Sequence, residues 1–154
     1  MQINARVDYA LRAVIGVACA EDAVRKREIA IEQDIPERFL EQILAQLVRS
    51  GILVGTRGPQ GGYALVRPAA QISVADIVRA IDGPLAAVRG LPPEDVEYVD
   101  NARALRDLWV ALRASIRSIL EETTIDDLVR GRLPDDVQEL LMPPDVWHRR
   151  GLER

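Results

Sequence analysis

The chain has 154 residues, of which 48% are apolar and only 4% aromatic, and its formal net charge is −4. That is enough for one domain with an aliphatic core plus an extension, as in an ordinary soluble protein. No apolar run approaches the roughly 18 residues of a membrane span, and the start "MQINARVDYALRAV" is charged where a signal peptide is apolar, so a cytoplasmic location without membrane contact is expected.

The acidic balance is uneven. Residues 1–67 carry 9 Lys+Arg against 8 Asp+Glu, and the remainder carry 11 against 16. The front half is the less acidic one, which permits nucleic-acid binding without arguing for it. One cysteine, Cys19, excludes an internal disulfide framework and any all-cysteine metal site within one chain. Cys19 lies between alanines and reads as a small buried residue. Lys26 is the only lysine, and the only histidine, His148, stands in the tail "WHRRGLER", a poor place for a general base. No nucleophile and base share a plausible site, so no enzyme is expected.

The first predicted element is a helix over residues 5–20, with apolar positions at 7, 11, 14 and 18, flanked by 10 and 17, and Asn4 as N-cap. "KREIAIEQDI" (26–35) gives a short second helix. Pro36, tolerated in a first helical turn, opens "ERFLEQILAQLVRSG", whose Leu40, Ile43, Leu44, Leu47 and Val48 form one stripe closed by Gly51. Short helix, turn, longer helix is a helix-turn-helix pattern, though such pairs also occur without DNA.

"ILVGT" (52–56) and "YALVR" (63–67) read as two strands joined by "RGPQGG". A phosphate cradle fails here: no lysine follows the glycines, and the loop leads into a strand instead of a helix. A hairpin directly after a helix-turn-helix is a wing. Small residues at its tip allow close backbone approach, and Arg57 at its base is a long cation suited to a narrow minor groove.

Ser73-Val-Ala-Asp76 caps a fourth helix, "VADIVRAID", which stops at Gly83-Pro84. Residues 85–100 read as an irregular linker. From Asn101 to Glu122 runs the longest helix, with Leu105, Leu108, Leu112, Ile116 and Ile119 on one face, widened by Trp109 and Leu120. It has little of its own chain to pack on, so pairing with a second copy is favoured over folding back. Thr124 and Asp127 start a short helix ended at Gly131, and the last residues form a tail, partly mobile.

Several of these segments together resemble the IscR/NsrR/CymR-type (Rrf2) family of bacterial transcription regulators. They are "DYALRAVIGVA", "FLEQILAQLVRSGIL", "TRGPQGGYAL", "SVADIVRAIDGPL" and "SILEETTIDDL", and they span roughly residues 1–130. The resemblance implies a mainly α fold with a small β-hairpin wing, a winged helix-turn-helix domain plus a long dimerisation helix. The expected division is 1–83 for the DNA-binding domain, 84–100 for a linker or sensor-like loop, 101–131 for the dimerisation helix and the short helix after it, and 132–154 for the tail. It implies a homodimer that binds a partly palindromic promoter site in double-stranded DNA, acting as a repressor.

Carried over residue by residue, the recognition turns hold Glu37, Arg38, Phe39, Glu41 and Gln42. Arg38 suits guanine, Gln42 adenine and Glu41 a cytosine amine. The bland alternative is a solvated face with an Arg38–Glu41 ion pair, and a partly core Phe39. The wing contacts are Arg57, Gly58, Pro59, Gln60 and Gly61. Arg6 and Tyr9 resemble phosphate-side positions, and Tyr9 serves equally as packing. Dimerisation falls to Leu105, Leu108, Trp109, Leu112, Ile116 and Ile119.

One departure matters. Many relatives carry three cysteines before the dimer helix for an iron–sulfur cluster, whereas "VRGLPPEDVEYVDNARAL" has neither cysteine nor histidine. Asp8 matches a position that ligates the cluster in some members, but Arg12 one turn on points to a surface ion pair. The expectation is a member with no metal or cofactor, whose effector region near Asp8, Arg12, Tyr98 and Trp109 takes a small molecule or a partner protein. The rival function is an interaction module that works through the dimer helix and tail.

Overall fold

The computed structural model describes residues 3–58 and 61–148. Helix α1 (Ala5–Ala18) starts where Asn4 turns its side-chain oxygen onto the Val7 N–H, at 3.0 Å. Its buried face is Val7, Ala10, Ala13, Val14 and Val17. Cys19, expected inside, is exposed, because it is the C-cap residue at the point where the helix leaves the core.

Helices α2 (Lys26–Glu32) and α3 (Glu37–Arg49) are joined by a turn that no glycine supports. Asp34 takes φ +50 there, a left-handed conformation that aspartate tolerates better than most residues. Ile35, its N–H bonded to Ala30 O at 2.9 Å, drops into the core and fixes the turn. Pro36 stands one position earlier than a first-turn residue, as the N-cap of α3. Leu40, Ile43, Leu44 and Leu47 are buried as the periodicity requires. Val48 is not: it is exposed, since one more step of about 100° carries it past the edge of the apolar face. Gly51, at φ +72, closes α3 through Gly51 N–H to Val48 O (3.1 Å) and Ile52 N–H to Leu47 O (3.0 Å).

Strands β1 (Leu53–Thr56) and β2 (Gly62–Leu65) form an antiparallel hairpin, Leu53 facing Leu65 and Thr56 facing Gly62. Val24, in the loop between α1 and α2, adds an isolated antiparallel bridge to β2 through a pair of backbone hydrogen bonds with Tyr63, at 2.9 and 2.8 Å. The hairpin is thereby stitched to the helical body.

Helix α4 (Val74–Asp82) has the predicted capping box between Ser73 and Asp76, and it ends on Gly83 at φ +85. The linker contains a turn of tight helix at Pro93–Asp95, with Val96 buried behind it. Helix α5 (Ala104–Leu120) is shorter than the sequence suggests, because Asp100–Ala102 form a separate tight turn before it. None of its 17 residues is buried. After it the chain returns: Thr123 O accepts from Val74 N–H at 2.8 Å, Ile125 N–H reaches Ile72 O at 2.9 Å, and helix α6 (Ile125–Val129) places Ile125 in the common core beside α1. Helix α7 (Asp135–Glu139) and a tight turn at Pro144–Trp147 follow.

Candidate nucleic-acid interface

The apolar stripe that seats α3 leaves Glu37, Arg38, Phe39, Glu41 and Gln42 on the outside, all exposed. Phe39, expected to be partly core, is 42% exposed and lies beneath the Arg38 guanidinium, 4.6 Å from its carbon to the ring centroid. The Arg38–Glu41 ion pair does not form. Glu41 instead accepts from the Lys26 ammonium at 3.0 Å, an ion pair between α2 and α3. The hydrogen bond and charge of Glu41 push the Lys26 pKa above its ordinary value of 10.5. Lysine in the first turn of a helix opposes the macrodipole, a hint in the sequence that this side chain has an acidic partner.

The wing's glycines have a structural reason. A Cβ on Gly61 would lie 2.5 Å from Thr56 O, and one on Gly62 would lie 2.7 Å from Val24 O. Gly61 and Gly62 are therefore required by the protein's own backbone. Gly58, at φ +110, adopts a conformation that side-chain-bearing residues rarely reach. Arg57 is exposed and makes no ion pair among the described residues. Pro59 and Gln60 lie outside the described residues.

On α1, the Arg6 guanidinium reaches α3 and donates to Gln46 Oε1 at 2.8 Å. Tyr9 packs partly buried against the core, with Arg12 5.4 Å over its ring. Arg12 pairs with Asp8 at 3.3 Å and also donates to the carbonyls of Gln33 and Asp34, the latter at 3.1 Å. Asp8 and Arg12 thus serve the α2–α3 turn. Neither lines the hollows beside α5. One of these, about 390 Å³, is bounded by Ala86, Ala87, Val88, Arg89, Trp109 and Leu112. The other, about 500 Å³, includes Glu94, Tyr98, Arg103 and Arg106. Arg89, 5.7 Å over the Tyr98 ring, stands between the two. Along α5, Leu105 and Leu108 are exposed, while Trp109, Leu112, Ile116 and Ile119 are half-buried.

A short helix, a tight turn, a longer helix with an uncovered polar face and a two-stranded hairpin make a winged helix-turn-helix, the architecture of a transcriptional regulator. Comparison with known proteins is specific: residues 3–131 match the family model Rrf2, described as an iron-dependent transcriptional regulator. The chain belongs to the Rrf2 family. A Mycobacterium tuberculosis protein provisionally named HTH-type transcriptional regulator Rv1287 is 44% identical over 142 residues, 91% of this chain and 88% of its own length. CymR of Bacillus subtilis is 31% identical over 130 residues, 83% of this chain and 89% of its own. The structure of that CymR, a global cysteine regulator, superposes with a TM-score of 0.72 over 85% of this chain and 98% of its own, at 28% identity. The T. potens IscR structure gives 0.68 over 96% and 97%, at 26% identity. These relatives are regulators, not enzymes.

The family description implies iron. Thiolates are what an iron–sulfur cluster needs, and the one cysteine of the sequence, Cys19, caps the far end of α1. Among the described residues no three His, Cys, Asp or Glu side chains are grouped to hold a metal ion, and Asp8 is committed to Arg12. The residues present do not fit a cysteine-ligated cluster.

Proposed function

We propose that this chain is a homodimeric repressor that binds a partly palindromic promoter site without an iron–sulfur cluster. The observation that carries the dimer is α5: it is 17 residues long and amphipathic, and it has no buried residue, with Leu108 55% exposed. An apolar face that its own chain covers only by half, with Leu105 and Leu108 exposed, is destabilising in water, and a two-fold partner helix is the simplest cover. The face of α3 supports base contact, with Gln42 and Arg38 on its leading turns, and Arg57 at the base of the wing makes no ion pair among the described residues. Glu37, Glu41 and Phe39 frame those turns, Gly58 and Gly61 shape the wing, and Arg6 flanks α3 on the phosphate side. The proposed division keeps residues 1–83 as the DNA-binding unit and 101–131 as the dimerising one, with Ile125 returning to the shared core.

A second reading, an interaction module acting through α5 and the tail, draws on the exposed Leu140, Leu141, Met142, Val146 and Trp147. Light scattering on purified protein, wild type and Leu108→Glu, together with a duplex-binding assay, separates the two. The regulator reading expects a dimer that binds duplex and a variant that loses both. A dimer that binds no duplex at low salt would favour the module. Anaerobic reconstitution with iron and sulfide should leave the protein colourless, and a stable chromophore at stoichiometric iron would contradict the cluster-free assignment.

A further inference from the structure

Three helices, α1, α3 and α4, meet at a polar clasp built around Gln46. Gln46, half-buried on α3, donates from Nε2 to two carbonyls at the end of α4, Ala80 O at 2.8 Å and Ile81 O at 3.2 Å. Those carbonyls belong to the last turn of a helix, where intrahelical partners run out. With its nitrogen committed to them, the amide can turn only its oxygen outward. That oxygen accepts from Arg6 at 2.8 Å. Beside it, Asn4 donates to Asp82 at 2.6 Å while capping α1. The start of α1 is thus held against the end of α4, with α3 between them.

The position of Arg6 makes this more than a packing detail. Asn4 is the N-cap, so Arg6 is the second residue of α1, where a cation opposes the helix macrodipole. Among the described residues its side chain pairs with no carboxylate; it is exposed and held by a neutral amide that leaves its charge uncompensated. Gln46 also continues a row on α3, since Arg38, Gln42 and Gln46 follow at successive intervals of four, about 6 Å apart along the axis. Arg6 sits at the far end of that row, flanking a helix that occupies a groove in the proposed complex.

We propose that Gln46 is a positioning residue. It does not touch DNA; it fixes the Arg6 guanidinium, through an amide whose orientation α4 dictates, so that an uncompensated charge faces a backbone phosphate beside the recognition helix. This deepens the DNA-binding reading and rests on it. An arginine held in advance loses less rotamer freedom when it meets the phosphate, so the amide acts on affinity through Arg6.

The test is a double-mutant cycle on the full-length protein, with a labelled duplex selected from a random library by the wild type. Arg6→Ala, Gln46→Met and the double variant are titrated across a salt series, and their thermal unfolding is recorded alongside. Methionine keeps the length of the side chain while removing both amide functions. Arg6→Ala should flatten the log–log salt dependence by about one unit per protomer. Gln46→Met should weaken binding several-fold in the wild-type background and not at all when Arg6 is already alanine. A merely structural Gln46, needed only to cap α4, would weaken binding equally in both backgrounds and overturn the proposal. So would an unchanged salt slope in Arg6→Ala, with the DNA-binding reading left standing. Failure of the wild type to select or bind any duplex would overturn both.

Discussion

At the scale of single residues, the wing is legible in outline, but the reason for its glycines is not. "RGPQGG" announces a tight loop, and a hairpin is what forms, but the glycines answer to neighbours far away in sequence. Gly62 faces the carbonyl of Val24, and nothing in a local reading places residue 24 beside residue 62. Gly62→Ala is therefore expected to cost about 1–3 kcal/mol, the range for forcing an extra methyl into a packed site. Urea unfolding measures it, and a variant as stable as the wild type would show that the Val24 bridge is dispensable. Glu41 gives the same lesson. Its most obvious partner in sequence is Arg38, one turn away, but the α2–α3 turn delivers Lys26 to it, and Arg38 covers Phe39 instead. Gln42 remains unshared, so Gln42→Ala should relax base preference at one position per half-site by about 1–3 kcal/mol if the contact is bidentate. Binding to a set of singly substituted duplexes reads this out, and an unaltered preference would remove Gln42 from recognition.

At the scale of elements, the helices with strong caps were the easiest to place. Ser73 and Thr124 each accept from the N–H three residues on, and the paired aspartates, Asp76 and Asp127, return a bond to the cap. Ser73→Ala and Thr124→Ala should each lower stability by about 1 kcal/mol. The two caps face one another across the Ser73–Thr124 bridge, so their effects should not add. Strict additivity would mean the bridge transmits nothing between α4 and α6. Helix α5 was harder to bound. Its apolar spacing runs smoothly from residue 105, yet nothing in that spacing reveals that Asp100–Ala102 break away as a separate turn. The dimerising role proposed for it rests on the sequence as well, where five apolar side chains on one face exceed what the remaining chain can cover.

At the scale of the whole molecule, ion pairs tie the parts together and add a modest pH dependence to stability. Glu121 is held below the ordinary carboxylate range by hydrogen bonds from Arg79, which ties α4 to the end of α5, and from Arg117 one turn back on α5 itself. Glu94 is lowered by Arg113, which ties the linker to α5, and Asp127 by the Thr124 hydroxyl and backbone. A carboxylate lowered in the folded state contributes stability above its unfolded value, here near 4, and loses it as the pH falls through the lower folded one. Lys26 acts in the opposite sense: its contribution is complete below about 10.5 and fades as the pH rises beyond its raised folded value. In thermal unfolding across pH, the gap between wild type and Glu121→Gln should be widest near neutrality and close as the pH falls through the lowered carboxylate value. A gap independent of pH would mean that Glu121 acts through packing alone. The family assignment itself was within reach of the sequence, since motifs from α1, α3, the wing and α4 occur together in order. The clasp of Arg6, Gln46 and the α4 carbonyls was not, because it depends on three helices whose angles no local pattern encodes.

The most direct measurement is fluorescence anisotropy of a labelled duplex taken from upstream of the protein's own gene. It would be titrated with iron-free protein, wild type and Arg57→Ala, at two salt concentrations. A winged-helix regulator that needs no cluster should bind tightly, lose affinity steeply with salt, and be weakened by Arg57→Ala, most at A·T-rich sites with a narrow minor groove. If the wild type ignores this duplex and unrelated duplexes alike at low salt, the proposed function is contradicted, and partners of α5 and the tail become the place to look.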